Sequence, residues 1–226
     1  MSLTQLSRSI EGLVAVITGA GSGMGAATAK LFADQGAKVA ALDLNEAGVA
    51  GVVQEISAAG KSAKAWQIDL ADGDAIIRVM SEIAEYYNGI DLLVNNAGIS
   101  IPAPIDRDGY DDAWDRSLSV LLSAQQRAIR AALPHLRQSN NPRIVNIAST
   151  EGLGATKGGS PYTAAKHGVI GLTRSLAVEL GVEGITVNCI CPGPINTGMT
   201  QAIPDEQKVV YARRRVALKR YAEPEE

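Results

Sequence analysis

The chain is poor in the residues that staple small secreted folds or hold metals: two cysteines and two histidines in 226 residues. Cys189 and Cys191 lie in an apolar run without disulfide-framework or metal-ligand spacing, so they read as small buried thiols in a reducing compartment. His135 and His167 have no carboxylate or cysteine at ligand spacing, which excludes a zinc motif, predicts no metal and leaves both structural. No apolar run approaches the roughly 18–20 residues that cross a bilayer. The opening MSLTQLSRSIEG has no hydrophobic signal core, so no export is expected. Charge of one sign is scarce too. With 21 Lys and Arg against 24 Asp and Glu, the net charge is −3, which offers nucleic acid no footprint. The expectation is a soluble cytoplasmic protein, with a small molecule rather than a membrane or a nucleic acid as its ligand.

What is present is aliphatic and repetitive in its pattern. Hydrophobic residues make up 46 %, enough for one substantial core over residues 1–226. Strands are predicted near Val14–Thr18, Lys38–Asp43, Ala63–Asp69, Asp91–Asn95, Arg143–Ala148 and Ile185–Ile190. Helical periodicity falls between them, at Met24–Gln35, Glu46–Ala59, Asp72–Tyr87, Asp111–Leu136 and Tyr162–Leu180. Several of the strands are nearly continuous apolar runs, as parallel strands covered on both faces require. Repeated strand–helix alternation implies right-handed βαβ units, hence a single doubly wound α/β domain of Rossmann type.

Glycine is abundant, and four glycines fall on alternate positions, Gly19 to Gly25, between the first strand and its helix. A helix N-terminus at the carboxyl edge of such a sheet offers unpaired N–H groups to a pyrophosphate, provided no side chain intervenes. At the end of the second strand Asp43 can accept both hydroxyls of an adenosine ribose and repel a 2′-phosphate. Position 22 is serine, Leu44 and Asn45 follow Asp43, and no adjacent Arg or Lys stands ready for a phosphate. NAD is therefore favoured over NADP.

Together, Thr18-Gly19-x-x-x-Gly23-x-Gly25, Asn95-Asn96-Ala97-Gly98 and Tyr162-x-x-x-Lys166 resemble the short-chain dehydrogenase/reductase family from about Gly12 onward. The resemblance implies a cofactor site made of Gly19, Ser22, Gly23, Met24, Gly25, Asp43 and Leu44. It adds Asp69 and Leu70 beside the adenine, Asn95, Ala97 and Gly98, then Ile195 and Thr197 at the nicotinamide carboxamide. It also implies Ser149, Tyr162 and Lys166 as the catalytic set, Lys166 gripping the nicotinamide ribose as well, and a homo-oligomer, tetramer or dimer. The residues support the chemistry directly. Tyr162 and Lys166 are four apart on one helix face. A nearby ammonium and an oxidised nicotinamide would favour the phenolate, making Tyr162 an acid/base for an alcohol. Ser149 could donate to the substrate oxygen.

Two features depart from the family. The position seven after Trp114, where many members carry asparagine, is Leu121, which can neither donate nor accept. Turnover reduced but real is expected, with Leu121→Asn preserving or raising it. The family also continues past KRYAEPEE through another strand, so a truncated chain with an exposed sheet edge is expected. The basic run Arg213-Arg214-Arg215, with Lys219 and Arg220, reads as a solvated helix face or as a contact for an acidic thioester carrier. The expected activity is NAD-dependent oxidation of a secondary alcohol or reduction of its ketone. The rivals are an NADPH-dependent 3-oxoacyl-thioester reductase and a non-catalytic dinucleotide-binding module.

Overall fold

The structure, a computed structural model, describes residues 9–226; part of the opening stretch considered for export, residues 1–8, lies outside the described residues. Six parallel strands form one sheet: β1 (Val14–Thr18), β2 (Lys38–Asp43), β3 (Ala63–Gln67), β4 (Leu92–Asn95), β5 (Arg143–Ile147) and β6 (Thr186–Ile190). Their order is β3-β2-β1-β4-β5-β6. The direction of winding reverses between β1 and β4, where a crevice opens at the carboxyl ends of a doubly wound sheet. The helices are α1 (Gly23–Asp34), α2 (Glu46–Ala58), α3 (Gly73–Tyr87), α4 (Tyr110–Leu118), α5 (Ala124–Leu136), α6 (Ser160–Gly181) and α7 (Asp205–Arg215).

The continuous apolar strands are explained by two cores. Ile17, Val39 and Ala41 pack with Ala29, Ala33, Val49 and Ile56 of α1 and α2. Their neighbours Val16, Ala40 and Leu42 point the other way, into a core with Ile76, Met80 and Ile83 of α3 and Ala128 and Ile129 of α5. Successive side chains alternate across a strand, so a strand buried on both faces cannot spare a polar residue. On α3, Asp72 caps the start by accepting from the N–H groups of Asp74 and Ala75, and Asn88 ends the helix in the left-handed region, φ 62°.

Some boundaries move. β3 stops at Gln67, which leaves Asp69 in the following loop, and β4 begins at Leu92, just after Asp91, whose carboxylate accepts from Val14 N. α6 begins two residues early, with Pro161 in its first turn, where a missing N–H costs nothing. The predicted helix Asp111–Leu136 starts at Tyr110 and is interrupted by a π-helical turn, Ser119–Ser123, centred on Leu121. Such bulges concentrate at functional sites. Cys189 and Cys191 are only partly buried. Near the chain's end, Ala222 pairs with Ile195, tying down the segment that leads to Thr197. Among the described residues no helix is long and apolar enough to cross a membrane.

Candidate active site

Backbone shapes the first part of the site. Gly19 and Gly23 take positive φ, 68° and 51°, which lets the chain turn sharply from β1 into α1. A Cβ on Gly19 would sit 2.7 Å from Ala97 Cα, and one on Gly25 would overlap the Gly19 carbonyl oxygen. Asn96 Nδ2 donates to Thr18 O at 2.9 Å, while Thr18 Oγ1 accepts from the N–H groups of Asn96 and Ala97. The turns after β1 and β4 are thus sewn together. No side chain caps α1 at Ser22 and no acid occupies its first turn, so its free N–H groups and dipole remain open to an anion.

Above these turns lies a cleft of about 810 Å³. The first turn contributes Gly19, Ser22, Gly23 and Met24; the end of β2 and the loops after β2 and β3 contribute Asp43, Leu44, Asp69 and Leu70. Ala97, Gly98 and Thr197 complete the predicted members that line it. Asp43 Oδ2 accepts from Gly21 N and Oδ1 from Asn45 N, both at 2.8 Å. Each oxygen keeps a further lone pair for a hydroxyl. A Cβ on Gly21 would stand 2.9 Å from that carboxyl group, so glycine is what lets the acid lean in. The geometry of this pocket suits a dinucleotide.

One cation was missed: Arg116 of α4 lines the cleft and meets Asp69 at 3.5 Å. The two are 47 positions apart in the chain, and no local pattern links them.

The remaining predicted residues stand outside the cleft's lining. Asn95 is buried and donates from Nδ2 to Asn146 Oδ1 at 2.9 Å; Asn146 Nδ2 donates to Thr173 Oγ1 at 3.0 Å. This polar chain locks β4, β5 and α6 together, and it sets α6 against the sheet. Gly25 packs under the first turn, and Ile195 is held by Ala222.

Ser149, Tyr162 and Lys166 gather after β5. Ser149 caps a short 3-10 turn, Thr150–Gly152, and its Oγ accepts from Glu151 N at 3.1 Å. Tyr162 sits in the first turn of α6, with the Ser149 hydroxyl near enough to act on its proton. Lys166, one turn on, places Nζ 5.6 Å from the Tyr162 ring centre and donates to Ile147 O at 2.7 Å. Burial, which penalises the ammonium, pulls Lys166 down to about 8, with Cys189 and Cys191 acting the other way.

The expected acidification of Tyr162 by Lys166 is not what the chain's own groups produce. Burial pushes the phenol above its ordinary value, the Ser149 hydroxyl pulls it partly back, and the Glu151 charge pushes it up again. Lys166 is directed at a backbone carbonyl instead. Glu151 also escaped sequence reading. Its Oε1 accepts from Thr156 Oγ1 at 2.7 Å and its Oε2 from Thr163 Oγ1 at 3.3 Å. Leu121 is wholly buried, its δ-methyl 3.5 Å from where a Gly98 Cβ would be. Four residues to either side, Ser117 Oγ and both amide atoms of Gln125 are buried without a hydrogen-bond partner among the described residues.

The family model for short chain dehydrogenases matches residues 13–208. A 3-oxoacyl-(acyl-carrier-protein) reductase of Thermotoga maritima is 36 % identical over 96 % of this chain and 87 % of its own length. A meso-2,3-butanediol dehydrogenase of Serratia marcescens is 39 % identical over 94 % of this chain and 83 % of its own. A solved Beutenbergia cavernae structure, assigned as an NAD(P)-dependent gluconate 5-dehydrogenase and holding NADP at low occupancy, superposes with a TM-score of 0.88. It is 38 % identical and covers 96 % of this chain and 86 % of its own. With the doubly wound sheet, the glycine turn and the grouped Ser149, Tyr162 and Lys166 already in place, the chain belongs to the short-chain dehydrogenase family and is an oxidoreductase that uses a nicotinamide cofactor.

Proposed function

We propose that the protein is an NAD-dependent oxidoreductase of secondary alcohols and their ketones, with Tyr162 as acid/base, Ser149 as oxyanion donor and Lys166 as the positioning cation. The observation that carries this reading is the grouping of Ser149 and Tyr162 after β5, one helical turn from the buried Lys166. When bound, the nicotinamide supplies the acceptor or donor of hydride. Tyr162 takes the carbinol proton during oxidation and returns it during reduction. Ser149 donates to the substrate oxygen as charge builds there. Lys166, which donates to Ile147 O, would also hold the nicotinamide ribose.

The same reading gives the other residues their work. Gly19, Ser22, Gly23 and Met24 would present backbone N–H groups to the diphosphate, Gly25 would let the turn close beneath them, and Asp43 with Leu44 would receive the adenosine ribose. Asp69 and Leu70, which line the cleft, would flank the adenine. Ala97 and Gly98 would form the floor, with Asn95 held beneath them by its bond to Asn146, and Ile195 and Thr197 would meet the carboxamide. Because the phenol is raised, phenolate is scarce at neutral pH. Alcohol oxidation therefore climbs with pH, while ketone reduction, which needs the protonated phenol, does not.

The preference for NAD rests on Asp43, a half-exposed carboxylate that a 2′-phosphate would meet with no cation beside it; Arg116 is held by Asp69. The competing reading, NADPH-dependent reduction of 3-oxoacyl thioesters, draws on the Thermotoga maritima relative and on the NADP in the Beutenbergia cavernae structure. KM values for NADH and NADPH separate the two. A lower KM for NADPH would reject the assignment, and Asp43→Ser is expected to shift the balance toward NADPH.

A further inference from the structure

A second cavity, of about 570 Å³, lies between the stretch after Ser149 and helix α7. Thr156 and Lys157 form part of its wall; Glu206, Tyr211, Arg214 and Arg215 form the facing part. It is linked to the catalytic group through one side chain. Thr156 Oγ1 donates to Glu151 Oε1, the other oxygen of that carboxylate accepts from Thr163 Oγ1, and Thr163 adjoins Tyr162.

The charge of this cavity runs against that of the molecule. The chain carries a net −3, yet three cations and one carboxylate line this space. Ion pairs elsewhere engage Lys30, Lys61, Arg78, Arg116, Arg137, Lys208 and Arg220. None among the described residues engages Lys157, Arg214 or Arg215. Cations scattered over a solvated helix face repel little, whereas cationic residues that border one concavity repel more and are relieved by an anion. Guanidinium groups match the oxygens of carboxylate and phosphate in pairs, which makes them the apt donors. Val210 and Tyr211 add apolar wall for a carbon skeleton.

We propose that this cavity holds an anionic group, carboxylate or phosphate, carried by the substrate away from its reacting carbon and met by Lys157, Arg214 and Arg215. The inference rests on the oxidoreductase reading and narrows its substrate class. Glu206 is the one opposing charge in the lining, so neutralising it strengthens the attraction.

Two substrate pairs test it, each sharing a reacting ketone. Acetoacetyl-CoA, with its phosphates, is compared with neutral S-acetoacetyl-N-acetylcysteamine, and acetoacetate is compared with neutral acetoin. At low salt the wild-type kcat/KM for the anionic member of at least one pair exceeds that of its neutral partner by tenfold or more. The pair that shows the gain tells phosphate from carboxylate. In the R214Q/R215Q double variant that gain falls at least tenfold, through KM, while the neutral member changes less than twofold. Lys157→Gln gives a smaller loss, Glu206→Gln an increase, and added salt erodes the preference. Equal kcat/KM within both pairs, or a double variant that slows both members alike, overturns the inference and leaves the oxidoreductase reading standing. No turnover of any of the four ketones or of 2,3-butanediol, with either cofactor, overturns both.

Discussion

The turn after β1 and the turn after β5 lie at the same edge of one sheet and are built on opposite principles. The first is made of backbone. Its glycines are required because a Cβ would strike main-chain atoms, as at Gly19 against Ala97 and Gly25 against Gly19. The second is made of side chains whose ionisation is tuned by what surrounds them: a phenol raised by burial and by Glu151, and an ammonium pulled down to about 8. Binding through backbone amides tolerates little change of shape. Proton transfer through side chains tolerates little change of environment. Substitutions in the two regions should therefore fail in different ways.

The sharpest contrast pairs Tyr162→Phe with Gly25→Ala. Removing the phenol should lower kcat by roughly 10²–10⁴-fold while NADH binding, followed by its fluorescence, stays within a few-fold. Gly25→Ala should abolish NADH binding and lower the melting temperature, because the clash is with backbone. Gly51→Ala, in α2 with nothing within 4 Å of its Cβ, should instead stabilise by about 0.5–1 kcal/mol. Retention of NADH binding by Gly25→Ala would erase the distinction between the regions.

Lys166→Met carries the next effect. The ammonium is depressed from 10.5 to about 8 in the folded chain, so its cost to stability is full below pH 8 and is relieved as pH rises toward 10.5. The variant should lose activity yet unfold at a higher temperature than wild type at pH 7. That advantage, on the order of 3 kcal/mol at most, should shrink steadily above pH 8. An advantage that stays constant with pH would show that Lys166 is not the strained group.

Glu151→Gln should act more gently, moving the midpoint of alcohol oxidation to lower pH because the charge that raises the phenol is gone. Ser149→Ala should move it the other way, besides lowering kcat. Matching shifts in one direction would mean that one of the two residues does not act on Tyr162 in the way assigned to it. The smallest effect is expected at Leu121→Asn, which should preserve or raise kcat. A modest loss of thermal stability should accompany it, since an amide replaces a wholly buried leucine. A large loss of kcat would show that the π-helical turn is built for an apolar side chain.

Much of this was legible beforehand. The two-sided apolar strands announced the parallel sheet, and the turn glycines announced where backbone comes close to backbone. The spacing of Tyr162 and Lys166 put both on one helix face. Other features had no local signature: Arg116 on Asp69, the threonine clamp on Glu151, the Lys166 bond to Ile147 O, and the direction in which Tyr162 is shifted. The π-helical turn at Leu121 was likewise invisible, since its residues are ordinary helix formers.

The amino-acid order alone determined the strand and helix alternation, the winding of the sheet and the place of the glycine turn, because periodicity and backbone sterics act over a few residues. Only the tertiary structure decided which charges meet and which stay unpaired, and how each proton is held. Those depend on desolvation and on contacts between segments that crossovers bring together from dozens of positions apart.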